Sequence, residues 1–144
     1  MDKIIKGQPD WDKTANANFD ELKADNQNLS NATTGWGDNI PLTLMNGAVS
    51  DGSAPFVRIK KIGGDKFAYI YAAMRGIDPS QNDVPYIQLP SDIFNGIYRV
   101  WASPSTNGST ASWILQNNQI VLHSNSQKDL GTNSWFAIAQ LINL

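Results

Sequence analysis

The sequence predicts a mainly β fold: a short N-terminal α-helix followed by a compact antiparallel β-sandwich or barrel. Three observations lead there. Apolar residues recur at helical spacing only once, between residues 14 and 29. From Ile40 onward the pattern changes to period two in strand-favouring residues, broken by Gly, Asn and Pro turn pairs. The 144 residues suit one domain with a small appendage. Such a chain buries roughly two thirds of its unfolded surface and needs neither disulfides nor a structural metal. The expected division is residues 1–39 as helix and linker, serving oligomerisation and attachment, and residues 40–144 as the β domain.

The helix is predicted over residues 14–29. Thr14 can act as N-cap, and Asp12 and Asp20 place negative charge toward the positive end of the dipole. Ala15, Phe19, Leu22, Asn26 and Leu29 follow one another at spacings of four and three, which makes a single narrow heptad-like seam. The remaining positions are polar. A helix this short is marginal alone in water, so its seam must rest on a partner. Ser30 to Asn39 is rich in Ser, Thr, Asn and Gly and reads as a linker.

Strands are expected over residues 42–45, 56–62, 67–76, 86–89, 97–103, 112–116, 119–124 and 135–144. Asn46-Gly47, Gly63-Gly64, Asp78-Pro79, Leu89-Pro90 and Asn95-Gly96 supply the turns between them. Short strands at this spacing argue for a sandwich or barrel. Asn117-Asn118 is a two-residue type I′ loop, and pairing outward from it sets Gln116 against Gln119, Leu115 against Ile120, Ile114 against Val121, Trp113 against Leu122 and Ser112 against His123. Trp113, Leu115, Ile120 and Leu122 then share a core face. The last strand, from Trp135 to Ile142, is apolar on both faces and calls for cover from a second layer or another subunit.

Composition narrows the function classes. With no Cys, thiol catalysis and thiolate metal sites are excluded. A net charge of −2 gives no reason to expect nucleic acid as a partner. Ile4 and Ile5 are the only apolar residues between Asp2 and Gly7, too few for a signal-peptide core. No run approaches the roughly 20 apolar residues of a membrane helix. The expectation is a chain made in the cytoplasm that neither enters a membrane nor is exported by the standard route. Only 17% of residues are charged, while amides, hydroxyls and five Trp abound. Such a surface suits neutral, hydroxyl-rich ligands such as carbohydrate.

No reactive constellation stands out, and no catalytic residue, cofactor or metal site is expected. His123 is the only histidine, and nothing around it resembles a nucleophile elbow. It is either a ligand contact or an idle, exposed strand residue. Asp78 and Asp83 could be paired carboxylates or Ca²⁺ ligands, but loop-capping chemistry explains them more simply. Trp101 shares a strand face with Arg99 beside the polar loop 103–108. An indole plate next to a guanidinium is a saccharide platform, provided that Trp101 is not a core residue. His123, Asn125 and Asp129, on the next strand and its loop, form the alternative glycan site. Trp36 and Trp11 read as packing residues.

Two stretches carry a resemblance. Trp11 to Leu22, with its Asn-x-Asn-Phe-x-x-Leu core at Asn16, Asn18, Phe19 and Leu22, is similar to the start of many phage tail and baseplate proteins. Val57 to Phe67, followed by Gln88-Leu89-Pro90, resembles the strand–turn–strand and Leu-Pro segments of phage receptor-binding heads. The family is that of the baseplate receptor-binding proteins of tailed phages infecting lactic acid bacteria. The resemblance implies a homotrimer whose helices bundle through Phe19, Leu22, Asn26 and Leu29 and dock on other baseplate proteins, while the β head binds host cell-wall saccharide at the tail tip of the virion. The family often carries an interlaced β-prism between helix and head, and residues 30–39 are too few to hold one. A purely structural baseplate protein, and more remotely a small glycan depolymerase, are the rival readings.

Overall fold

The computed structural model describes residues 11–144, without the side chain of Trp11. The readings of residues 1–7 and of the Trp11 ring therefore lie outside the described residues. Helix α1 spans Trp11–Ala32, three residues longer at each end than expected. Thr14 thus sits inside the first turns and is not the N-cap, while Asp12 does occupy the first turn. The helix stops where two threonines are captured by the β domain. The Thr34 N–H donates to the Lys61 carbonyl at 3.0 Å, and the Lys61 N–H donates to Thr34 Oγ1 at 3.0 Å. The Gly63 N–H donates to Thr33 Oγ1 at 3.3 Å.

Ten strands follow: β1 (Ile40–Pro41), β2 (Thr43–Leu44), β3 (Val49–Ser50), β4 (Phe56–Ile62), β5 (Asp65–Arg75), β6 (Val84–Gln88), β7 (Arg99–Pro104), β8 (Thr110–Gln116), β9 (Gln119–Asn125) and β10 (Phe136–Asn143). They form two antiparallel five-stranded sheets. The first has the order β1-β4-β5-β10 with β3 also on β5; the second runs β2-β6-β9-β8-β7. The fold is mainly β, with one N-terminal helix and curled antiparallel sheets. A one-turn helix α2 (Ser91–Phe94) follows Leu89-Pro90 and places the buried Phe94 in the core.

Turn chemistry holds this topology together. Asn46 and Gly47 both take positive φ (51° and 84°), and this tight turn hands the chain from β2 in one sheet to β3 in the other. Asn117 and Asn118 have φ of 50° and 59°, the type I′ geometry that fits a twisted hairpin. From Gln116↔Gln119 to Trp113↔Leu122 the register is the expected one. One pair differs: Ser112 faces Ser124, not His123, because a bulge interrupts the ladder between Ser112 and Trp113. The extra residue absorbed by a bulge leaves the ladder and can be re-aimed, and His123 is exposed.

The core lies between the sheets. Val57, Ile70, Ala72, Met74, Phe136 and Ile138 face Ile87, Trp113, Leu115, Ile120 and Leu122, all fully buried. Trp113 stands edge-on to Phe136, with centroids 6.2 Å apart at 85°, the favoured arrangement for an aromatic pair. Its indole N–H is satisfied by Ser103 Oγ at 2.7 Å. The last strand buries Phe136, Ile138 and Ile142 inward, whereas Ala139 and Leu141 stay exposed on the outer face. Among the described residues, nothing buries Ala139 or Leu141 on this second face.

Candidate functional site

The helix and the loops opposite it define the two ends of the β domain. The Gly63-Gly64 turn, which receives α1, lies at one end. Strand β5 carries the chain away from it to Arg75, and loops 76–83, 105–109 and 126–135 meet at the far end. Those loops bond to one another. The Gly76 N–H donates to the Thr132 carbonyl at 2.8 Å, and the Thr106 N–H to the Trp135 carbonyl at 3.1 Å. The Trp135 N–H donates to Thr106 Oγ1 at 2.7 Å, and Lys128 Nζ donates to Asn82 Oδ1 at 2.5 Å.

His123 and Asp83 meet on this distal surface, with Nδ1 and Oδ1 at 2.7 Å and both side chains half exposed or more. The bulge in β9 turns His123 outward, and Asp83, at φ 60°, ends loop 76–83 beside it. Asp78 has a different task. One of its carboxylate oxygens accepts from Ser80 Oγ at 2.6 Å and the Ser80 N–H at 3.0 Å, the other from Gln81 Nε2 at 2.7 Å. These bonds, the Ser80 hydroxyl foremost, hold its carboxyl below the usual range. Its backbone N–H donates to the buried Tyr86 hydroxyl at 3.0 Å, and burial pushes the phenol of Tyr86 up. Asp78 is thus a loop cap, as turn chemistry predicts. Among the described residues no cluster of three or more His, Asp or Glu could hold a metal ion.

Beneath the distal loops lies a buried polar layer. Ser105 and Ser109 share a hydroxyl contact of 2.5 Å, and Ser105 Oγ approaches Asn125 Oδ1 at 3.5 Å. Asn125 is 5% exposed, with its Nδ2 unpaired. It lies beneath the loops rather than on their surface. Asp129 is exposed on loop 126–135. Trp135, 39% exposed, adds an indole to this surface. In the sequence, Trp135 stands out only as the start of an apolar strand.

Trp101 and Arg99 share a face, as expected, but β7 pairs with β8 so that Trp101 lies opposite Trp113 and Arg99 opposite Leu115. That face looks into the sandwich. Trp101 packs against the core with its Nε1 buried. Arg99 is committed to the Asn143 and Tyr98 carbonyls, at 2.9 and 2.8 Å. Its strand end lies near the helix, so these two residues do not join His123, Asn125 and Asp129. On this edge strand Arg99 is exposed and Trp101 is half-buried against the core.

Along α1, Phe19 and Leu29 are 68% and 64% exposed, and Leu22 and Asn26 are exposed too. The seam meets no part of its own β domain closely enough to be covered.

No protein-family model matches the sequence, and no curated protein matches it at a significant level. Among solved structures, the receptor binding protein (gp15) of Listeria phage PSA is similar, with a TM-score of 0.58 at 17% identity. The match covers 88% of this chain and 77% of that one. The chain therefore has a fold shared, over most of its length, with a phage receptor binding protein.

Proposed function

We propose that the chain is a phage receptor-binding protein that attaches the tail tip or baseplate of a virion to host cell-wall saccharide, as a homotrimer and without catalysis. The observation that carries this reading is the likeness to a phage receptor binding protein over most of the chain. The geometry supports it in two ways. The helix offers an exposed apolar seam of Phe19, Leu22 and Leu29, interrupted by Asn26, which three copies would cover in a bundle about 33 Å long. At the opposite end, His123, Asp83, Lys128, Asp129 and Trp135 present donors, acceptors and one indole. Attachment at one end and recognition at the other is the division such a protein requires. The indole takes the C–H face of a sugar while the charged groups take its hydroxyls. Asn125 holds these loops from within, and Trp101 and Arg99 serve the stability of the sandwich.

The test is binding of the labelled full chain to bacterial cells of candidate hosts, before and after periodate oxidation of their surface polysaccharide. Binding is expected on at least one strain, and oxidation should remove it. Trp135→Ala combined with His123→Ala should weaken it without changing the melting curve. Binding that survives oxidation would contradict a saccharide receptor.

A further inference from the structure

We infer a second saccharide-binding site on the flank of the β domain, in the cleft between Trp36, Arg58 and Tyr69, selective for sugars that carry an acidic substituent. The inference rests on the reading that this chain meets saccharide at the host surface, and it concerns a face remote from the distal loops.

The sequence sets up the face. Period two along β4 and β5 sends Phe56, Arg58 and Lys60 outward on one strand and Phe67, Tyr69 and Tyr71 outward on the next, with Arg58 directly opposite Tyr69. The linker after α1 then lies along β4, since the Gly37 N–H donates to the Ile59 carbonyl at 2.9 Å. Trp36 is thereby laid beside them. It meets Tyr69 edge-on, with centroids 6.1 Å apart at 63°, and is 44% exposed. The three side chains line a concave space of about 260 Å³. A pair of inclined aromatic plates around a hollow suits the apolar face of a pyranose ring.

One cation lines this hollow and a second stands near its Trp36 wall. Arg58 stacks over Phe56 at 5.1 Å, and its Nε donates to Asn39 Oδ1. Lys60 Nζ stands 5.9 Å from the Trp36 centroid. Neither cation has an ion-pair partner among the described residues. The Asn39 contact fixes the guanidinium through Nε and leaves both Nη groups to offer a two-pronged donor set, the geometry that matches a carboxylate or phosphate. An uncharged sugar would leave these charges unanswered. A second copy of the chain fits the adjoining part of this face around β10 better, where Ala73, Ala137, Ala139 and Leu141 are apolar and uncharged. Charge complementarity separates the two halves.

The test uses the full chain and the indole N–H signals of its five tryptophans in ¹H–¹⁵N spectra, titrated with glucose 6-phosphate, glucuronic acid, glucose and inorganic phosphate. The expected result is a shift of the Trp36 signal by at least one acidic sugar, with a dissociation constant about tenfold below that for glucose. The two acidic arms tell phosphate from carboxylate. Arg58→Gln should abolish that preference and leave the scattering mass unchanged. An unmoved Trp36, glucose binding as tightly as both acidic sugars, or inorganic phosphate acting as strongly as the phosphosugar would overturn the site. A change in scattering mass on Arg58→Gln would assign the cleft to contact between copies and overturn it too. Cells still bound while Trp36 does not respond refute the flank site alone, whereas failure to bind any cell refutes the receptor reading.

Discussion

Replacing Gly76 by alanine tests how the distal loops are fixed to the sandwich. Gly76 leaves β5 at φ +76°, and a Cβ there would lie 2.3 Å from the Gly47 carbonyl oxygen and 3.2 Å from its carbon. Gly47 cannot easily yield, because it sits at φ +84° in the turn that passes the chain between sheets. Gly76 is also held by its N–H bond to Thr132. The left-handed backbone alone costs an L-residue about 1–2 kcal/mol. The overlap should bring the total to about 3 kcal/mol or more, a large share of the 5–15 kcal/mol typical of a domain. Gly96 provides the control: its φ is +77°, and a Cβ there meets nothing within 4 Å. Gly96→Ala should therefore cost only the backbone part. Urea unfolding followed by tryptophan fluorescence gives both values. Equal losses at the two positions would refute the close-approach argument.

Trp113→Ala removes a fully buried indole, its edge-on contact with Phe136 and its bond to Ser103, and should cost about 3–5 kcal/mol in the same unfolding assay. Trp101→Ala should also destabilise, by a smaller amount, and leave cell binding intact in the folded fraction; loss of binding with an unchanged melting curve would restore Trp101 as a ligand platform. Asn26→Leu should raise the helix melting temperature and broaden the assembly distribution seen by light scattering, since a polar seam residue trades stability for register; a lowered melting temperature would show that Asn26 lies outside the seam. Asp78, whose carboxyl is held low in the folded chain, contributes stability that is complete above its unfolded value and is lost as pH falls through the folded one; acidification through that window should speed amide exchange of loop 76–83, and Asp78→Asn should remove the dependence.

Much of the fold is legible in local pattern. Residues 56–62 are rich in β-branched and apolar residues, alternate from Val57 to Lys60, and form β4 over the expected span. Asn117-Asn118 specifies both its turn and four residue pairs of register. What escapes is set by tertiary structure. Strands β1 and β3 are two residues each, too short to show a period. Helix α2 hides behind Leu89-Pro90, which reads as a turn, and four residues give no helical repeat. The bulge that exposes His123 leaves no mark in a run of Ile120, Val121 and Leu122. Trp101 illustrates the limit for the site: period two correctly put it with Arg99, yet only the β7–β8 register decides which way that face points. His123 and Asp83 are forty residues apart, and they meet only because β6 pairs with β9, with Val84 opposite Leu122 and the Asp83 N–H bonded to the Leu122 carbonyl. The helix seam was readable because its spacing is local. Its exposed state follows from how α1 leaves the β domain at Thr33 and Thr34.

The central claim is that the distal loops recognise host wall saccharide. The most direct test is a crystal of the full chain soaked with wall oligosaccharide from a strain that it binds. The account predicts intact saccharide at the distal end, in contact with Trp135, His123 or Asp129. Cleaved saccharide there would show a depolymerase, and saccharide bound elsewhere with the distal loops empty would contradict the account.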